Sequence, residues 1–227
     1  ERMIIMPKHD MMFGRLPQSH INYLESLEGV TNIAWLDMLS MDINSITENI
    51  PIFAISKDYF KVMDRFEASP EAKKAFFSNK RGALAGKTAA DLKGWKVGDL
   101  ISIPTFSKKN DGSNVWEFVI EGIYTTSPAA DELGLMVRNE YVEEARIANK
   151  GTVSMILFNL DDPSKADEIS NIIDDNYKNS AYATFTGNEI TLSQKMLSDI
   201  GNIKLIITAI ISAVFFTLLL VTANTMS

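Results

Sequence analysis

The sequence predicts an α+β protein in which one βαβ-type domain is interrupted by an inserted small α/β module and is followed by one long helix. Three observations support this prediction. Strand-like apolar runs and helical patterns occur in the order strand, helix, strand near both ends of the polar part of the chain. A second set of helix and strand signals separates these two ends. An uninterrupted apolar run then closes the sequence.

The opening of the chain predicts the order strand, helix, strand, strand. Residues 3–6 (MIIM) are a short apolar run before a proline, which is typical of a strand. Pro17 suits the first turn of a helix, and Gly29 is placed to end that helix. Two further stretches rich in β-forming residues, 30–41 and 51–55, predict strands.

The middle of the chain, residues 57–151, predicts the inserted module. The Ser-Pro-Glu sequence at 69–71 is typical of a helix start, because serine caps the helix, proline fits the first turn and glutamate favours the positive end of the dipole. Residues 88–93 predict a short helix that a glycine ends. Residues 100–103 predict a strand, which a polar turn containing Asp-Gly joins to an alternating strand over 116–121. These two strands predict a hairpin.

The last polar part of the chain repeats the opening pattern. Residues 153–160 predict a strand, an Asp-Pro pair then starts a helix, and residues 182–186 predict another strand. The apolar positions of this helix are Ala166, Ile169, Ile173 and Tyr177. Because the same order occurs on both sides of the module, residues 1–56 and 152–190 are predicted to form one interrupted domain.

Residues 205–223 are predicted to form a transmembrane helix. All nineteen are uncharged, twelve are Leu, Ile, Val or Phe, and none is Pro or Gly. With a rise of about 1.5 Å per residue, a helix of this length measures about 28 Å, close to the hydrocarbon core of a bilayer. A buried core helix is the alternative, but such helices are usually shorter and have a polar face.

A stalk helix is predicted over residues 191–204, directly before this span. Its apolar positions recur at helical spacing and continue into the span. They are Leu192, Met196, Ile200 and Ile203. Small residues within the span form a strip that would let another helix approach closely, unless their spacing is chance. They are Thr208, Ala209, Ser212 and Ala213.

The composition excludes several classes of protein. A net charge of −7 without a basic run argues against nucleic-acid binding. The chain has no cysteine, which excludes a disulfide, a thiolate nucleophile and a thiolate metal site. Because the chain begins with Glu1 and ends at Ser227, just past the apolar run, we expect it to be a fragment of a longer protein.

No catalytic, cofactor or metal site is predicted. The sequence GALAGKT at 82–88 has three residues between its glycines where a phosphate-binding P-loop has four, so a strand-to-helix turn is the better interpretation. His9 and His20 have no nearby acids at ligand spacing and are expected at the surface. The aspartates between 161 and 175 form no calcium loop. No nucleophilic triad can be assembled, which favours a mechanical or binding role.

Three segments of the sequence, in this order along the chain, resemble segments of a known family. Residues 83–103 (ALAGKTAADLKGWKVGDLISI) resemble a phrase in the inserted module of the extracytoplasmic domain of MacB/FtsX-type ABC transporter permeases. Residues 53–60 (FAISKDYF) are similar to the segment that leads into that module. Residues 218–226 (LLLVTANTM) are similar to the start of the permease core that follows the domain. The resemblance extends over essentially the whole chain.

The resemblance implies an arrangement of parts. Residues 1–56 and 152–190 would be a porter-like domain, 57–151 its insertion, 191–204 the stalk and 205–223 a transmembrane helix. Such permeases lie in the cell (inner) membrane with this domain on the extracytoplasmic, periplasmic side. They work as a homodimer or a paired permease with a cognate ABC ATPase subunit, and a periplasmic adaptor is a further partner.

The resemblance also implies a function without catalysis. Such a domain couples ATP hydrolysis in another subunit to substrate efflux or other extracytoplasmic work, by mechanotransmission through the stalk helices. A membrane-tethered sensor or ligand-binding domain is the alternative, and a membrane-anchored enzyme is a third hypothesis. The sequence beyond Ser227 would separate them, because a permease continues with three more spans. The substrate and the outer compartment stay open.

Overall fold

The computed structural model describes residues 1–11, 13–40 and 50–225, with side chains throughout except at 40, 199–205, 219–220 and 223–225. Of the predicted strand 30–41, the last residue lies outside this part of the chain. The strands in chain order are β1 (Arg2–Pro7), β2 (Leu16–Pro17), β3 (Val30–Ser40), β4 (Ile52–Ile55), β5 (Gly82–Gly86), β6 (Leu100–Pro104), β7 (Val115–Tyr124), β8 (Leu135–Arg138), β9 (Thr152–Val153), β10 (Met155–Leu160) and β11 (Thr184–Gly187).

Seven α-helices occur in the described residues. They are α1 (Ser19–Glu25), α2 (Tyr59–Val62), α3 (Pro70–Ser78), α4 (Lys87–Lys93), α5 (Asn139–Ala145), α6 (Ala166–Tyr177) and α7 (Glu189–Thr225). Two short 3-10 helices cover Ala129–Leu133 and Pro163–Lys165. The α+β class predicted from the sequence is confirmed.

Within the described residues, nine strands form one mixed sheet in the order β11-β1-β10-β3-β4-β8-β5-β7-β6. Neighbouring strands are antiparallel except β4 with β8 and β5 with β7, which are parallel. The pairing of β4 with β8 places strands of the predicted insertion beside those of the predicted porter-like part. The division at 1–56, 57–151 and 152–190 itself stays a prediction.

Local signals in the sequence account for many of these elements. Ser69 caps α3 by accepting a hydrogen bond from the Ala72 amide, and a left-handed Gly94 ends α4. Along β7, Trp116 and Phe118 are fully buried while Glu117 between them is exposed. This alternation is that of a strand with one face on the core. The predicted hairpin is confirmed, because β6 and β7 pair antiparallel.

The first helix differs from its prediction at both ends. Pro17 does not open α1 but lies in β2 opposite Thr152 of β9, and a two-residue edge strand tolerates a residue that has no amide donor. The helix ends at Glu25, before Gly29. With φ of +87°, Gly29 instead makes the left-handed turn into β3, a conformation that costs a glycine little.

The GALAGKT segment forms a strand followed by a helix, as predicted. All five residues of β5 are buried, and α4 starts at the next residue, Lys87. A Cβ atom on Gly86 would lie 2.1 Å from the backbone oxygen of Glu132, so this glycine is needed for close packing at the turn. The backbone that a phosphate would have to reach is therefore covered by the chain itself.

Three apolar clusters lie on the sheet. The first joins residues from β1, β3, the segment 59–76, β5, β10 and α7. The second lies within the inserted segment and reaches β4. The third packs α1 and α6 on β1 and β10, with Ile169 and Ile173 of α6 buried as their spacing predicts. The first cluster is the one that combines residues of 1–56, 57–151 and 152–190 with the start of α7.

A buried ion network joins the inserted segment to the rest of the sheet. The carboxylate of Asp37 on β3 accepts hydrogen bonds from Nη2 of Arg15, at 2.5 Å, and from Nη1 of Arg146. Ser154 Oγ donates to its other oxygen at 2.9 Å. Arg146, whose side chain is 3% exposed, also pairs with Glu143. Removing ions from water is costly, so such a network is stable only when all partners are present.

The predicted surface position is wrong for one of the two histidines. His9 is exposed, as expected, but His20 is 5% exposed and stacks on Tyr177 with 3.8 Å between the ring centroids. The imidazole faces α6 because it lies on the same helical face as Ile21 and Leu24, which are buried in the third cluster. A polar residue on that face is enclosed together with the apolar ones.

Replacing Asp37 by Ala should lower the free energy of unfolding by about 3–5 kcal/mol, because two guanidinium groups lose their buried counter-ion. Urea unfolding followed by circular dichroism measures this loss. Asp64→Ala is the matched control, since the Asp64 side chain is 82% exposed and its ion pair should contribute less than about 1 kcal/mol. Equal losses in the two variants would contradict a structural role for the network.

The pH dependence of stability should contain a contribution from His20. Burial lowers the pKa of this imidazole, against a weaker backbone interaction at Tyr182. The unfolded chain therefore takes up a proton first, and the free energy of unfolding falls as the pH drops below 6.5, the ordinary value. His20→Phe should remove this part of the fall in unfolding experiments at several pH values. His9→Gln should keep it, and a His20→Phe variant with the unaltered pH profile would refute the assignment.

Candidate functional site: the junction of the long helix with the domain

The long helix α7 starts almost directly from the sheet. One residue, Asn188, separates it from β11, and the Asn188 side chain accepts hydrogen bonds from the amide of Thr191 at 2.9 Å and from its hydroxyl at 3.0 Å. Glu189 adds a negative charge to the first turn. An asparagine cap and an acidic first turn both stabilise a helix start. The helix direction is therefore set at the edge of the sheet without a flexible linker.

Leu192 attaches the first turns of α7 to the core. It is 4% exposed and belongs to the first apolar cluster, together with Ile4 and Met6 of β1. The same cluster contains Tyr59 and Phe66 from the segment after β4. Burying a leucine contributes about 1.5–3 kcal/mol relative to leaving it exposed. This side chain therefore connects the helix to both sequence parts of the domain.

Charged groups surround this apolar contact. Glu189 pairs with Nη1 of Arg2 at 2.7 Å and lies 3.7 Å from Nη1 of Arg65. Arg2 also pairs with Asp64 at 3.0 Å, and Arg65 pairs with Asp131 at 3.0 Å. Partly exposed ion pairs of this kind contribute at most about 1 kcal/mol each. They orient the helix, while the apolar contact holds it.

Two buried tyrosines, Tyr59 and Tyr124, lie in the same apolar cluster as Leu192. Burial raises the pKa of both Tyr59 and Tyr124, so the two phenols stay protonated. The Tyr124 hydroxyl donates toward the backbone oxygens of Asp131, at 3.0 Å, and Gly134, at 3.2 Å. Phe66 meets the Tyr124 ring edge-on, with 5.5 Å between centroids. These contacts fix the residues on which the start of α7 rests.

The structure describes part of the predicted stalk and strip. Leu192 is buried and Met196 is half-buried, whereas the side chains of Ile200 and Ile203 lie outside the described residues. The four residues of the small-residue strip, Thr208, Ala209, Ser212 and Ala213, all lie on α7 and are exposed. Their role as a packing surface stays a prediction.

Beyond the domain, the described side chains of α7 are mainly apolar and exposed. Every described side chain from 206 to 218 is exposed, and the large ones include Ile207, Ile211 and Phe215. In the part of the chain that the structure describes, no helix combines the length and the apolar character that crossing a bilayer requires. Nor do these residues bring together three or more His, Cys, Asp and Glu side chains that could hold a metal ion.

The helix was predictable from the sequence, but the ion pairs at its start were not. Asn188 and Glu189 form a cap and acidic first turn that the sequence could have indicated. Their partners could not be found in the same way, because Arg2 lies 187 residues from Glu189 along the chain. Only the pairing of β1 with β11 brings these residues together.

Solved structures of transporter domains share this fold. The periplasmic region of MacB from Actinobacillus actinomycetemcomitans aligns with a TM-score of 0.57 at 13% identity, covering 86% of this chain and 92% of that one. The extracellular domain of the noncanonic ABC-type transporter YknZ from Gram-positive bacteria aligns with a TM-score of 0.53 at 14% identity, covering 83% of this chain and 100% of that one. No protein-family model and no curated protein matches the sequence. The chain therefore has the fold of extracytoplasmic ABC transporter domains, which confirms the resemblance at the level of fold.

Leu192→Ala should detach the first turns of α7 from the domain. The expected loss in the free energy of unfolding is about 2–5 kcal/mol, with faster amide hydrogen exchange over residues 189–196. Leu197→Ala removes the same atoms from a side chain that is 69% exposed, so it should cost less than about 0.5 kcal/mol. If the two variants behave alike, Leu192 does not anchor the helix.

Proposed function

We propose that this chain is the extracytoplasmic domain of an ABC transporter permease and that it transmits mechanical work from the membrane. The single observation that supports this proposal best is the direct continuation of the sheet into a 37-residue helix, α7. The likeness in fold to the MacB and YknZ domains supports the same general kind of protein. In this proposal ATP is hydrolysed in a separate subunit or domain, and the chain itself is not an enzyme.

The membrane part of the proposal concerns residues 205–223. Their nineteen uncharged side chains suit a hydrocarbon surrounding, and those described between 206 and 218 are exposed rather than packed on the domain. Exposed apolar surface of this extent on a single helix needs a partner or a lipid phase. Membrane insertion would satisfy that need, and the likeness to the MacB and YknZ domains supports a position of the domain on the extracytoplasmic side.

The proposed mechanism uses the stalk, residues 191–204, as a lever. A continuous helix transmits rotation and displacement because breaking its hydrogen bonds is costly. Movement of the membrane end would then act on the domain through Leu192 and Glu189. Rigid-body movement of a domain about a helix contact is a common way to convert a local change into mechanical work.

The proposal also names partners. A second permease copy, identical or paired, would face the strip at positions 208–213, since small side chains let two helix backbones approach closely. The cognate ABC ATPase would drive the helix pair from the cytoplasm, and a periplasmic adaptor could receive the substrate in an efflux assembly. The alternative, a membrane-tethered sensor or ligand-binding domain, would need neither an ATPase nor a paired helix.

Ser198→Pro should uncouple the domain from the membrane. Ser198 is an exposed residue of α7 that follows Leu192, the last buried side chain among the described residues. A proline inside a helix costs about 3 kcal/mol, because a hydrogen bond is lost and the ring clashes with the preceding turn. In the full transporter the variant should abolish transport while the ATPase still binds ATP. Ser198→Ala keeps the helix and should transport normally.

The movement itself can be measured with one label in each subunit. The chain has no cysteine, so Asn110→Cys, at an exposed position of the inserted segment, provides a single site for a spin label. ATP should change the distance between labels in paired subunits of the wild type and Ser198→Ala, and should leave it unchanged in Ser198→Pro. Normal efflux in Ser198→Pro, or an ATP-independent distance in the wild type, would overturn the proposal.

A further inference from the structure

A cleft of about 420 Å³ lies beside the buried ion network. Its polar side contains Arg15, Asp37, Arg146 and Ser154, and its walls include Leu39 and the segments 106–108 and 146–149. The first 56 residues, the inserted segment and Ser154, just before β10, all contribute to it. A volume of this size is in the range of sites for small organic ligands.

The cleft is cationic although the chain as a whole is acidic. Three of its lining residues, Arg15, Lys108 and Arg146, carry a positive charge, and only Asp37 carries a negative one. The net charge of the chain is −7. Lys108 is exposed and forms no ion pair with the described residues. Glu143, which does not line the cleft, pairs with Arg146, so the positive charge without a counter-ion among the described residues is that of Lys108, next to the partly exposed Arg15.

Each of the two arginines has a nitrogen without a hydrogen bond to the described residues. Arg15 donates from Nε and Nη2 to Thr152 and Asp37, while its Nη1 has no hydrogen bond within the described residues. Nε of Arg146 is buried and likewise has no partner among them. The Arg15 side chain is 20% exposed, so solvent reaches the cleft side of the network. Nη1 of Arg15 is therefore the donor that a ligand acceptor in the cleft would satisfy.

The rim of the cleft is apolar and unusually exposed. Phe13, Phe106 and Ile147 come from three separate loops, and their exposed fractions are 66%, 77% and 54%. All three line the cleft. Single exposed apolar residues are ordinary, but three converging on one cationic cleft form a patch of the kind that marks a binding site.

We propose that this cleft binds a small amphipathic carboxylate, with its head group at Arg15 and Lys108 and its apolar part against Phe13, Phe106 and Ile147. Guanidinium groups bind carboxylates with strong, directed hydrogen bonds, and a cationic cleft with apolar walls strengthens that attraction. The carboxylate can belong to a fatty acid or to the C-terminus of an apolar peptide, which present the same chemistry. The proposal concerns the domain alone and does not depend on coupling to an ATPase.

The test uses the full chain kept soluble in an amphipathic polymer, without detergent that could occupy the cleft. The probes are decanoate, for the lipid source, and N-acetyl-Leu-Phe, for the peptide source, with decanol and N-acetyl-Leu-Phe amide as uncharged counterparts. Isothermal titration calorimetry measures binding. At least one carboxylate should bind about 10–100-fold more tightly than its counterpart, because a charge-assisted hydrogen bond is lost. Binding should weaken with added salt.

Variants then locate the binding site. Arg15→Gln and Lys108→Gln should each weaken carboxylate binding about tenfold, and Phe106→Ser should weaken carboxylates and uncharged counterparts alike. Lys96→Gln is the matched control, since Lys96 is an exposed lysine outside the cleft. If Arg15→Gln fails to fold, the exposed Lys108 and Phe106 variants decide. Equal binding of charged and uncharged probes, no binding of either carboxylate, or unaltered binding in Lys108→Gln and Phe106→Ser would overturn the proposal.

Discussion

The buried carboxylate of Asp37 is the constraint on which the arrangement of the domain depends. Its two guanidinium partners come from two parts of the chain, since Arg15 lies in the first 56 residues and Arg146 follows α5 within the inserted segment. Ions in a low-dielectric interior are stable only when every partner is in place. Apolar clusters provide more free energy but tolerate substitution and small shifts. The ion network therefore makes the placement of the insertion against β3 specific, and it leaves a cationic cleft as a consequence.

The start of α7 is attached to the same sheet by an apolar contact and by partly exposed ion pairs. Leu192 belongs to the apolar cluster that also contains residues of β1, β10 and the inserted segment, and Glu189 lies between an arginine from β1 and one from the segment after β4. Since no linker intervenes, tilting the first turn of α7 would disturb both arginines together. A displacement of the helix would therefore act on the sheet and the insertion as well, because the three are packed together. A lever requires this property.

Much of the fold was predictable because its signals are local. The Ser69 cap, the Gly94 stop and the alternation along β7 each depend on residues within one turn or one strand. The errors have a common cause in contacts that are distant along the chain. Pro17 joined a strand because Thr152 lies opposite, and His20 is enclosed because α6 covers its helix face. The partners of Asp37 and Glu189 were beyond sequence reasoning for the same reason, so the cleft could not be foreseen either.

The position of β1 has a consequence for how the chain folds. This first strand lies between β10 and β11, which are the last two strands of the sheet. Ile4 and Ile5 pair with Leu157 and Ile156 of β10 on one side and with β11 on the other, so all of their partners are distant along the chain. Contacts of such high sequence separation are slow to form, because loop closure has to precede any stabilisation. During synthesis the inserted segment can pair its own strands first, whereas the opening strand has no partner strand until β10 emerges. The last pairing of the sheet, between β1 and β11, can form only when the chain has been made up to the start of α7.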